Sequence, residues 1–136
     1  MQQIANCGAE LLGAAERGDV ETVTRLLECG VDPNVRDVLD GTTALHSAAL
    51  RGDCQIAIRL IQAGADVQAS ENNTQSSPLG IALLAGQLAF AELLLSNGGM
   101  LSGAEIATGL LDEARELGYV DIVDTIKRKQ TCVAVP

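Results

Sequence analysis

The sequence predicts an all-α solenoid made of four helix–turn–helix repeats with extended fingers between them. Three observations lead there. First, three residue series recur in phase at a step of 34: Gly18, Gly52 and Gly86; Gly30, Gly64 and Gly98; Leu11, Leu45 and Leu79. A fixed period of this length marks stacked supersecondary units that cannot bury their apolar faces alone. Second, apolar residues on both sides of the first glycine of a unit recur at spacings of three and four, as amphipathic helices require. Third, the 136 residues are 47% hydrophobic but include one Phe, one Tyr and no Trp. The core must therefore be Leu, Ile, Val and Ala in close packing, which suits short helices laid side by side.

The second unit shows the pattern most fully. Leu45, Ala48 and Ala49 form one stripe, Gly52 breaks the chain, and Ile56, Leu60 and Ile61 form the stripe of a second, antiparallel helix. Asp53, like Asp19 in the first unit, precedes the second helix where an N-cap is wanted. Gly64 and Gly30 follow it, where a left-handed residue closes a helix. Polar stretches from Asn34 to Thr42 and from Gln68 to Ser76 read as the extended, turn-rich fingers. The units fall at about 7–40, 41–74, 75–106 and 107–130, with 131–136 as a frayed tail. The last unit is two residues short, because Gly118 follows Gly86 by 32, and Leu111 follows Leu79 by 32. Its finger shrinks to about Gly99–Gly103, and Ala104 to Leu117 is expected to run as one longer helix. From the initial Met and the shortened last unit we expect a complete array, with a fragment of a larger multidomain protein, its repeats docked on another domain, as the alternative.

A period of 34 also suits tetratricopeptide repeats, and the residues decide between the two. Asp40-Gly41-Thr42-Thr43-Ala44-Leu45-His46-Ser47-Ala48-Ala49-Leu50-Arg51-Gly52, followed by Leu60-Ile61-Gln62-Ala63-Gly64-Ala65-Asp66-Val67, resembles the ankyrin repeat nearly end to end. Partial copies stand at Leu26 to Asn34 and at Ser77-Pro78-Leu79, and the resemblance covers about residues 8–130. The usual Thr-Pro-Leu-His box is split, since repeat 2 has Ala44 for the proline and repeat 3 has Gly80 for the histidine. The resemblance gives His46 a structural task, hydrogen-bonding the turn and neighbouring backbone.

Composition excludes several functions. Nine Lys and Arg against eighteen Asp and Glu leave a net charge of −9, which opposes electrostatic binding to nucleic acid or to an anionic membrane. Aromatic platforms for single-stranded nucleic acid are missing. The four cysteines lack the short paired spacing of a zinc site. The N-terminus has neither a basic start nor a continuous apolar run, so we expect reduced thiols and a cytoplasmic location, with the nucleus as the alternative. Cys54 occupies the place of Val20, Leu88 and Val120 and reads as a small buried hydrophobe. His46 is the single histidine, no phosphate loop or nucleophile–base pair stands out, and the acidic residues read as solvated faces and caps. We expect no enzyme activity, no cofactor and no metal.

The resemblance implies a module that binds another protein through the concave face of the first helices and through the fingertips. The positions just before the inter-helix glycine point into that groove in the family; they include Arg17, Leu50, Arg51, Leu84, Ala85 and Leu117. Ile81, one turn before Leu84, borders the same track, and Val38 and Leu39 bring apolar residues to a fingertip. Between Asn72 and Ala104 Glu92 is the one charged residue, which leaves an uncharged groove in need of a cover. Two alternatives compete: the longer fingers fold back over these side chains, or two copies of an otherwise monomeric chain meet there. The opening Gly8 to Asp19 also looks like the start of the four-repeat inhibitors of cyclin-dependent kinases. Those have a collapsed first helix in repeat 2, whereas Thr43 to Arg51 is full length; a microbial effector or scaffold subunit fits equally.

Overall fold

The computed structural model describes residues 2–38, 41–69 and 76–134, with side chains over Cys7–Val38, 41–69, 76–102 and 105–129. Its helices are α1 (Gln2–Arg17), α2 (Val20–Glu28), α3 (Ala44–Arg51), α4 (Cys54–Gln62), α5 (Pro78–Leu84), α6 (Leu88–Ser96), α7 (Gly103–Ala107), α8 (Leu110–Glu116) and α9 (Val120–Ala134). Among the described residues there is no strand. Helices pack in pairs, α1 on α2, α3 on α4, α5 on α6 and α8 on α9. Pairs then stack in two rows: α1, α3, α5 and α8 form one, and α2, α4, α6 and α9 the other.

Local chemistry sets these boundaries. Asp19 and Asp53 cap α2 and α4, accepting from the backbone N–H of Thr22 and Ile56 at 3.2 Å each. Gly52 ends α3 at φ +75°, a conformation that a β-carbon makes costly. The interior between the rows is filled by Leu11, Leu45, Leu79, Ala48, Ala49, Ile56, Leu60, Phe90 and Leu94, all buried. Paired alanines let the first helices approach closely enough to share this one core.

The fingers are stitched from one repeat to the next. Asn34 donates from Nδ2 to the Gly64 carbonyl at 3.1 Å and accepts from the Asp66 N–H at 2.6 Å. One unit later, Gln68 Nε2 donates to the Gly98 carbonyl at 3.0 Å. At the first fingertip, Gly41 N–H donates to Asp37 O and Asp37 N–H to Thr42 O, at 2.9 and 2.8 Å, closing a turn.

The structure corrects the expectations for both ends. Residues 104–117 do not form one helix: Gly109, at φ +82°, separates α7 from α8. Leu110 rather than Leu111 is the more deeply buried residue at the start of α8. The 99–103 finger is reduced to 99–102, with Leu101 buried and Gly99 pressed against α6, before α7 begins. At the C-terminus, α9 continues through Ala134, so most of the expected tail is helical, and α1 begins at Gln2, ahead of the first unit as read from the repeats. Leu39 and residues 70–75 of the second finger lie outside the described residues.

Candidate functional site

The stripe that fills the core turns each first helix so that the next residue faces outward. In α3, Ala48 and Ala49 are buried and Leu50 is 64% exposed; in α5, Ala82 and Leu83 are buried and Leu84 is 54% exposed. Leu117, just past α8, is also 54% exposed. Ala85 is exposed, and Ile81 is half-buried beside Leu84. These residues lie on consecutive, touching helices of one row, so the leucines form a track across repeats 2 to 4. Among the described residues, nothing from the fingers covers these three leucines. Val38 is 96% exposed at its fingertip.

Side chains from each repeat fix the register of the track. The Arg51 guanidinium lies where a β-carbon on Gly18 would be, Gln87 lies over Gly52, and Tyr119 lies over Gly86. Arg51 donates to the Glu16 carbonyl at 3.2 Å and Gln87 to the Leu50 carbonyl at 3.4 Å. Arg51 is therefore partly committed to holding repeat 2 on repeat 1, whereas Arg17 extends back along its own helix over Gly13. At the far end of the track, Asp112, Glu113 and Glu116 are exposed.

At the N-terminal ends of α3 and α5, opposite the ends that carry Leu50 and Leu84, sit buried polar groups. Thr43 N–H donates to His46 Nδ1 at 3.1 Å, so that nitrogen is the acceptor and the proton sits on Nε2, which reaches the Ser76 carbonyl at 3.0 Å. His46 is 2% exposed, the structural position expected for it. In repeat 3, where Gly80 replaces the histidine, the carboxylate of Glu105 takes its place. Ser77 donates to it from N–H at 3.1 Å and from Oγ at 2.6 Å, and Ser102 N–H donates at 2.8 Å. A β-carbon on Gly80 would collide with Glu105 Oε2. Glu105 was not legible as a buried group by composition, although the missing imidazole at Gly80 and the Ser102-x-x-Glu105 capping pattern together carried the signal.

Other features lie away from the track. Cys54 is half-buried against the core and not wholly buried, as are its counterparts Val20 and Leu88. Cys7, Cys29 and Cys54 are free thiols. A cleft of about 570 Å³ opens between α6 and α9, lined by Leu95, Met100, Thr125, Arg128 and Lys129. It belongs to the second-helix row, and Lys129 Nζ already donates to the Leu95 carbonyl across it at 3.1 Å. Among the described residues, no three His, Cys, Asp or Glu side chains are grouped to hold a metal, and no helix is long and apolar enough to cross a membrane. The hydrogen bond from the Thr22 hydroxyl, followed by that from the Thr22 N–H, holds the Asp19 carboxyl below the usual carboxylate range.

Curated proteins gave no match to the chain. The family model for ankyrin repeats, in three copies, matches residues 11–108, which spans the first three helix pairs and α7. The fourth pair, α8 and α9, lies beyond the match and stacks on the third by the same two-row arrangement. Ankyrin repeats generally serve as protein–protein interaction modules and are typically non-catalytic. With helix pairs stacked in two rows, fingers stitched at a constant interval and most of its length matched, the chain belongs to the ankyrin repeat family.

Proposed function

We propose that this chain is a non-catalytic binding module that holds a partner protein against the first-helix row, with Leu50, Leu84 and Leu117 as the central contacts. Ile81 and Ala85 widen the apolar strip, Arg17 and Arg51 stand at one rim, and Val38 and Leu39 form a secondary fingertip contact. One observation supports the reading: Leu50 and Leu84, at equivalent places in successive repeats, and Leu117, one place further along in the last repeat, are each more than half exposed beside the inter-helix glycine. Covering each of them contributes up to about 1.5–3 kcal/mol before the cost of ordering the complex is subtracted. A second copy is the poorer occupant, because each chain carries a net charge of −9 and like charges oppose the encounter. A partner with cationic residues facing Glu113 and Glu116 is the better match.

The test compares the whole chain with the folded double variant Leu50→Asp, Leu84→Asp. Proteins retained by the first and lost by the second are purified, and their affinity for both chains is measured by titration calorimetry. Loss of binding in a variant with unchanged helicity and melting supports the groove. Binding that persists there but disappears in Val38→Asp, Leu39→Asp moves the site to the fingertip, and concentration-dependent dimerisation abolished by the leucine changes makes the occupant a second copy.

A further inference from the structure

In repeat 2 the box is closed from within: His46 accepts from Thr43, three residues earlier, and reaches forward to Ser76. In repeat 3 the same two kinds of donor, the backbone N–H and hydroxyl of Ser77, are satisfied by Glu105, 28 residues later. That carboxylate lies in the space left by Gly80, is 6% exposed and also accepts from Ser102 N–H, while Glu105 N–H donates to Ser102 Oγ at 3.2 Å. Two buried oxygens therefore join the start of α5 to the start of α7. An imidazole at position 80 would meet the Ser77 donors without involving α7 at all.

We propose that Glu105 is a clip: it replaces the missing imidazole of repeat 3 from the following unit and so adds one buried carboxylate joint to the apolar contacts and the Lys129 hydrogen bond that dock the 99–134 segment on repeat 3. Release of the clip leaves Ser77 N–H unpaired in a buried site and frees α7 together with the finger before it. The first three helix pairs stay closed when it opens, since their contacts do not pass through Glu105. The last helix pair is thus the unit of the solenoid built to detach first, a device of local opening written into the exchange of one histidine for a glycine. The role does not require that the groove bind a partner.

Hydrogen exchange and thermal melting of the full chain test it. Glu105→Gln keeps the size of the side chain but turns one acceptor oxygen into a donor facing other donors. Exchange across residues 99–134 should then quicken by about tenfold or more, the scale set by losing a hydrogen bond to a charged group, while α1 to α4 remain protected. The pair of doubles Gly80→His, Glu105→Ala and Gly80→Ala, Glu105→Ala separates the imidazole from the gain in helix propensity that any residue gives over glycine. The histidine double should melt above the alanine double and protect the start of α5, yet still exchange rapidly over 99–107. Gly80→His alone should melt below the wild-type chain, because the imidazole meets Glu105. Equal melting of the two doubles, or Glu105→Gln with unchanged exchange over 99–134, overturns the clip.

Discussion

His46 Nε2 lies 3.0 Å from the carbonyl oxygen of Ser76, thirty residues further along the chain, so one buried imidazole joins the box of repeat 2 to the entry of repeat 3. Replacing it by Gln removes the geometry that lets one ring serve Thr43 N–H and the Ser76 carbonyl together. His46→Gln should cost about 1–3 kcal/mol of stability, the penalty for leaving a buried polar group unpaired. Denaturant unfolding measures this, and partner affinity of the folded fraction should be unchanged because the side chain is buried in the first turn of α3 and bonded to Thr43 and Ser76. A variant as stable as wild type but unable to bind would place the imidazole in the interface instead.

Leu45 and Leu79 are buried at the same place in successive repeats. Each change to Ala should cost roughly 2–5 kcal/mol. Losses under about half a kcal/mol at both sites, the size of an ordinary surface effect, would contradict the core assignment.

Arg17 and Arg51 are equivalent by sequence and unequal in the structure. Arg51 donates to the Glu16 carbonyl, so Arg51→Ala should lower the unfolding midpoint by an amount corresponding to about 0.5–1.5 kcal/mol. Arg17→Ala should leave the midpoint unaltered and act on association rate and its salt dependence. Stopped-flow binding at two ionic strengths, alongside urea melts of both variants, distinguishes the roles.

Gly109 divides α7 from α8 at φ +82°, and a β-carbon there meets nothing within 4 Å. The cost of Gly109→Ala is then backbone strain alone, about 1–2 kcal/mol, with Gly109→Asn costing less because Asn tolerates the left-handed region. If alanine is neutral, calorimetric melting will show it, and the helix must then run on from α7 to α8.

Asp19 caps α2 with a carboxyl held below its ordinary range by the Thr22 hydroxyl and N–H. A depressed native value means that the cap stabilises the fold fully above the unfolded-state value and loses that contribution as pH falls through the native one. Asp19→Asn keeps a capping acceptor but does not titrate. Its melting temperature should therefore fall less steeply than that of wild type below about pH 4, the ordinary aspartate range; parallel curves would show that Asp19 contributes nothing to acid lability.

The sequence by itself determined the repeat, the helix pairs, the aspartate caps, the turn glycines and the outward leucines. All of these depend on near neighbours: a helix stripe needs spacings of three and four, Asp53 caps a helix that begins beside it, and Leu50 faces outward because Ala48 and Ala49 face in. Tertiary structure decided what the local pattern leaves open. The 104–117 stretch has helical periodicity throughout, yet Glu105 is drawn 28 residues back to Ser77 and Gly109 turns the chain so that α8 can stack on α5. Arg51 and Arg17 diverge because the preceding repeat presents its Gly18 turn to Arg51, whereas Arg17, in the first repeat, lies over Gly13 of its own helix. The acid content reads as solvated surface until Gly80 leaves a space of the right size and Ser77 and Ser102 supply three donors to it; a buried carboxylate becomes stable only when the fold assembles those partners around it.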